Sequence, residues 1–127
     1  MSYHFTKTVQ LSFDDAIKKA VDELKKEGFG ILTEIDVQET LKKKLDVDFR
    51  RYKILGACNP PFAYQALQAE DKIGTMLPCN VIVQEGSGGI EVSAVDPVAS
   101  MQAIDNPSLA SVALQVQAKL KKVIDSL

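Results

Sequence analysis

Apolar residues recur at helical spacing in two long stretches of this chain and alternate with polar ones in the segments between. Phe13, Ala16, Ile17, Ala20, Val21 and Leu24 share one stripe of a 3.6-residue period, which predicts a helix over Phe13–Glu27. Ser12 stands at its N-cap, and Gly28 supplies a left-handed stop. Near the C-terminus Leu109, Val112, Ala113, Val116, Leu120, Val123, Ile124 and Leu127 trace a longer stripe, opened by Asn106-Pro107.

Between these helices the period shortens to two. Tyr3–Leu11, Phe29–Ile35, Phe49–Cys58, Met76–Glu85 and Ile90–Val95 read as strands. Gly86-Ser87-Gly88-Gly89 joins the last two as a tight hairpin, because its glycines take the positive φ angles such turns need. Asp36, with Glu39 three residues on, opens a short helix to Leu45 in the manner of a capping box. Asn59 caps another with Pro60 in its first position, where a missing N–H costs nothing, and Phe62, Ala63, Ala66 and Leu67 form its apolar side. Asp96-Pro97 repeats that start. Two long amphipathic helices and about five strands predict an α+β fold with the helices on one face of an antiparallel sheet. No linker, repeat or change of composition divides residues 1–127, so a single domain is expected.

Composition narrows the function classes. With 46% hydrophobic and 25% charged residues over 127 positions, the chain is built to bury a core. Its formal net charge of -2 argues against nucleic acid, whose binding depends on a clustered positive surface. The basic run Lys42-Lys43-Lys44, with Arg50-Arg51 behind it, reads as a solvated helix end. No segment approaches the roughly 18 apolar residues of a membrane span, and Met1–Gln10 has no signal-peptide core, so a cytoplasmic protein without membrane contact is expected. In that reducing compartment the two cysteines are thiols.

Those thiols carry the candidate chemistry. Cys58 ends a strand immediately before Asn59-Pro60-Pro61, within about a turn of a helix N-terminus, a position that favours thiolate if the sulfur faces it. Cys79 opens the next strand in Leu77-Pro78-Cys79-Asn80-Val81, and antiparallel pairing of the two strands brings both sulfurs to one end of the sheet. Parity groups Cys58 with Tyr52 and Ile54, and Cys79 with Val81 and Val83, which directs both toward the apolar side. The expected ligand-binding residues are therefore Cys58, Asn59, Cys79 and Asn80, the asparagines acting as orienting groups or as caps and turns. The plainer alternative is that both cysteines are small hydrophobes filling space. Zinc takes four ligands, and two Cys plus His4 fall short, so no metal is expected. No nucleophile elbow, P-loop, dinucleotide fingerprint or H-E-x-x-H is present, and no cofactor is implied. Glu34 and Asp36 share a strand parity, but Asp36 is better used as a helix cap.

Ile54-Leu55-Gly56-Ala57-Cys58-Asn59-Pro60-Pro61, Ala66-Leu67-Gln68-Ala69-Glu70 and Leu77-Pro78-Cys79-Asn80-Val81-Ile82-Val83 together resemble the bacterial and archaeal family called domain of unknown function 302. The resemblance extends over nearly the whole chain. It implies a compact α+β fold like the TATA-box-binding-protein class, with a curved antiparallel sheet, two main helices and a tendency to homodimerise, and it implies no DNA binding. Because the family has no assigned activity, function rests on the residues. Two readings follow from them: a small-ligand or sulfur-handling module that uses Cys58 and Cys79, and a structural or interaction homodimer with no active site.

Overall fold

The computed structural model describes residues 2–127. Among these, five strands form an open antiparallel sheet in the order β1-β5-β4-β3-β2: β1 (His4–Val9), β2 (Gly30–Asp36), β3 (Tyr52–Cys58), β4 (Cys79–Gly86) and β5 (Gly89–Val95). Helices α1 (Phe13–Lys26), α2 (Val37–Leu45), α3 (Pro60–Ala69), α4 (Pro97–Ser100) and α5 (Pro107–Asp125) join them, with a 3-10 turn over Ile73–Met76. The fold is α+β, as the hydrophobic pattern predicts.

Local chemistry sets most element ends. Ser12 accepts a hydrogen bond from the Asp15 N–H at 3.1 Å to start α1. At its other end Gly28 adopts φ 86°, the Gly28 N–H reaches the Lys25 carbonyl and the Phe29 N–H reaches the Leu24 carbonyl. These paired bonds form a Schellman motif that turns Phe29 into the core. Asp36 accepts from the Glu39 N–H to begin α2, and Asp96 and Asn106 cap α4 and α5 ahead of their prolines. The β4–β5 hairpin closes through a Gly86–Gly89 pair, with Ser87 and Gly88 forming the turn.

The apolar stripes of α1 and α5 pack on one face of the sheet. Ala20, Leu24, Leu120 and Val123 meet Leu55, Val81, Val83, Val92 and Ala94 in a core from which water is excluded. The opposite face carries half-buried and exposed residues. There Ile35 pairs with Ile54 and Ile54 with Ile82, making an apolar row across three strands. The basic Lys42–Lys44 run lies in the last turn of α2, an exposed helix with no buried residue. Lys43 pairs with Glu39 at 2.7 Å and Lys42 with Asp46 at 3.0 Å, as on a solvated surface.

Candidate functional site

Antiparallel pairing of β3 with β4 sets Ala57 opposite Cys79 and Leu55 opposite Val81. These four positions share the helix-covered face, where Leu55, Ala57 and Val81 are fully buried. The expectation that Tyr52 and Ile54 mark the apolar side of β3 is therefore corrected, since Leu55 and Ala57 hold that side. Alternation within one strand defines two faces, but it does not say which the helices will cover. Cys58 is the last residue of β3, where the chain leaves the sheet for α3, and at that corner it lines the same cavity as Cys79.

The cavity has a volume of about 320 Å³. Ala57, Cys58 and Cys79 form its sheet end, and Phe62, Ala63, Ala66 and Leu67 of α3 form one wall. Val112, Ala113 and Val116 of α5 form a second, while Phe29, Leu32, Leu77, Pro78, Pro97 and Met101 complete the lining. None of these side chains bears a charge. Alanines at positions 57, 63, 66 and 113 leave room that larger side chains would fill, so the cavity exists because small residues meet where sheet, α3 and α5 converge.

Asn59 also lines the cavity, and it is 9% exposed. It occupies the N-cap position of α3, yet its side chain makes no capping bond. Its Nδ2 instead donates to the Glu27 carbonyl at 3.1 Å, which ties the α1 terminus to the start of α3. This corrects the expected capping role. The prolines at the first two positions of α3 carry no N–H, and Ala63 donates to the Asn59 carbonyl, so Phe62 holds the first N–H of the helix, without a bonded acceptor among the described residues. Ion pairs support the same junction: Glu27 lies 3.4 Å from Lys122 and 3.9 Å from Lys119, whose ammonium stands 6.0 Å from the Phe62 ring centroid.

The family model for the domain of unknown function DUF302 matches residues 5–127. The chain belongs to the DUF302 family. A crystal structure of an uncharacterised conserved DUF302 protein from Bacillus stearothermophilus is similar to this DUF302 chain at 28% identity and a TM-score of 0.92, with 98% of each chain covered. Comparison with curated proteins gave no match.

Within this DUF302 chain both cysteines are free thiols. Burial pushes the Cys79 thiol up to about 11, with a smaller contribution in the same direction from neighbouring Cys58. At neutral pH Cys79 is therefore protonated: a small apolar group with a weak S–H donor.

Asn80 lies elsewhere. It is exposed on the opposite sheet face, in a shallow groove with Tyr52, Ile82, Gln84 and Ser93. It directly follows Cys79 in β4, and the pleat turns it to the other face. Among the described residues no group of three or more His, Cys, Asp or Glu side chains is placed to hold a metal ion. The contributions of Phe29, Leu32, Leu77, Pro97, Met101 and the α5 residues were not anticipated from sequence, because only the packing of distant segments brings them together. Their signal was present all the same: Val112, Ala113 and Val116 belong to the apolar stripe of α5.

Proposed function

We propose that this DUF302 chain, acting as one domain over residues 1–127, is a cytoplasmic module that binds a small, largely apolar molecule in the cavity beside Cys58 and Cys79. The observation that carries this reading is that both thiols line one uncharged cavity of about 320 Å³, within the size range of small-molecule sites. A reducing cytoplasm suits two free thiols, and no helix among the described residues is long and apolar enough to cross a membrane. Cys58, at the corner where β3 meets α3, is the thiol assigned to contact a bound sulfur-containing molecule or soft electrophile. Protonated Cys79 is the second contact, and Asn59 frames the same end.

Native mass spectrometry of the protein taken directly from its source cells tests the reading, with an Ala63→Phe variant whose added ring fills the cavity. A bound small molecule on the wild type that is missing from the variant is expected. Equal occupancy in both places the ligand elsewhere, and wild-type protein without any adduct, which also takes up no N-ethylmaleimide when folded, defeats the proposal.

A second reading is favoured by the row Ile35, Ile54 and Ile82 on the uncovered sheet face: a homodimer formed through that face, with the cysteines as core packing. Sedimentation equilibrium at micromolar concentration separates the two. A dimer converted to monomer by Ile54→Lys supports this interface, and a wild-type monomer rules it out.

A further inference from the structure

We propose that Leu32, the extra residue of a bulge in the edge strand β2, grips a bound ligand at the mouth of the cavity and sets how tightly the cavity holds it. This role rests on the cavity being the ligand site, as proposed above. Ile31 pairs with Ala57 and Thr33 with Gly56, which are consecutive residues of β3, so Leu32 has no place of its own in the ladder. Such a bulge re-aims the side chains around it.

Ile31 and Ile35 stand four residues apart and would share one face of an unbroken strand. Here Ile31 packs against the core under the helices, whereas Ile35 pairs with Ile54 on the uncovered face. In an unbroken ladder Leu32 would lie opposite Gly56 on that uncovered face. Thr33 takes the position instead, and Gly56 makes room for it: a Cβ at Gly56 would overlap Thr33 Oγ1 and stand 2.8 Å from Pro78 Cγ. Leu32, displaced from the ladder, lines the cavity.

Of the residues that line the cavity, Leu32 at 67% and Leu67 at 44% are exposed, and the others are half-buried or buried. These two leucines mark its mouth, between β2 and α3. A bulge on an edge strand also hinders pairing with another chain, but a charged residue in the bulge would do that at least as well. What an apolar residue adds is surface for a ligand to cover. At its exposure Leu32 contributes little to the fold, and its side chain leaves water only when a molecule in the cavity reaches the mouth. The ligand class is thus an uncharged molecule whose hydrocarbon part extends from the sheet end of the cavity out to Leu32 and Leu67.

Fluorescence titration of the full chain with N-phenyl-1-naphthylamine, a neutral apolar probe that brightens on leaving water, tests the assignment. The probe is expected to bind the wild type and not Ala63→Phe, which places it in the cavity; should that variant not fold, the two leucine variants that follow decide. Leu32→Ala should weaken binding about tenfold, through the side-chain area no longer covered by the probe, and leave the urea midpoint unchanged because the residue is exposed. Leu45→Ala, at a leucine of α2 that is 66% exposed and outside the cavity, should bind like the wild type. Leu32→Ala binding as tightly as the wild type, an equal loss in Leu45→Ala, or a loss that tracks a lower urea midpoint overturns the role of Leu32 and leaves the cavity reading standing. Failure of the wild type to bind the probe, or equal binding by wild type and Ala63→Phe, overturns both.

Discussion

Gly28→Ala tests the junction on which the candidate site is built. Gly28 holds φ 86°, and a Cβ added there would lie 3.1 Å from Asn59 Nδ2, the atom that ties α3 to the Glu27 carbonyl. A left-handed conformation costs an L-residue about 1–2 kcal/mol. Weakening the Asn59 bond adds about 1 kcal/mol. The lower entropy of the unfolded alanine chain returns roughly 0.4–1 kcal/mol. The net loss is about 1–2.6 kcal/mol. With roughly 2.1 cal/mol/K of unfolding entropy per residue over 127 residues, this corresponds to a Tm lower by about 4–10 °C. Urea denaturation read by circular dichroism gives the free energy directly. Gly30→Ala is the control, since a Cβ there meets nothing within 4 Å and its φ lies outside the positive region; it should stay within about 0.5 kcal/mol of wild type. In the Asn59→Ala background the Gly28→Ala penalty should shrink, because the close contact is gone. A Gly28→Ala protein as stable as wild type, or no more affected than Gly30→Ala, would refute the junction as described.

Three further outcomes follow from the same geometry. Cys79, raised by burial from a reference of 9.0 to about 11, binds its proton more tightly folded than unfolded, so its contribution is fully present below pH 9 and lost as pH rises through about 11. Denaturation across pH 8–11 should show a loss on the order of 2 kcal/mol that Cys79→Ala removes; parallel curves for the two proteins would contradict the burial assigned to this thiol. Asp96 accepts from the Val98 and Ala99 N–H groups and from Gln117 Nε2, so Asp96→Ala should destabilise by about 1–2 kcal/mol in urea, and a change under 0.5 kcal/mol would deny that cap its role. Leu55→Ala, at a fully buried position between the helices and the sheet, should cost about 2–5 kcal/mol by the same assay, whereas Ile54→Ala on the uncovered face should cost less; the reverse order would overturn the assignment of faces.

The order and type of the elements were legible in the amino-acid sequence because the interactions that set them are local. Ser12, Asp36, Asp96 and Asn106 each meet an N–H two or three residues on, the Gly28 and Phe29 N–H groups close α1 on the Lys25 and Leu24 carbonyls, and the Gly86–Gly89 turn is made within four residues. The long stripe of α5 needs only its own periodicity to be seen. Even the approach of Cys58 to Cys79 follows from two consecutive strands running antiparallel.

Tertiary structure alone decided which face of β3 is buried, since burial depends on where α1 and α5 lie and not on alternation within the strand. It drew Asn59 away from its expected cap, because the Glu27 carbonyl is supplied from 32 residues away by the turn at Gly28. It also placed Asn80 on the outer surface while its neighbour Cys79 joined residues of α3, α4's end and α5 around one cavity. Hydrogen bonds that close within a turn leave their signature in adjacent residues. A cavity is the space remaining after distant surfaces have packed, and no single stretch of chain encodes it.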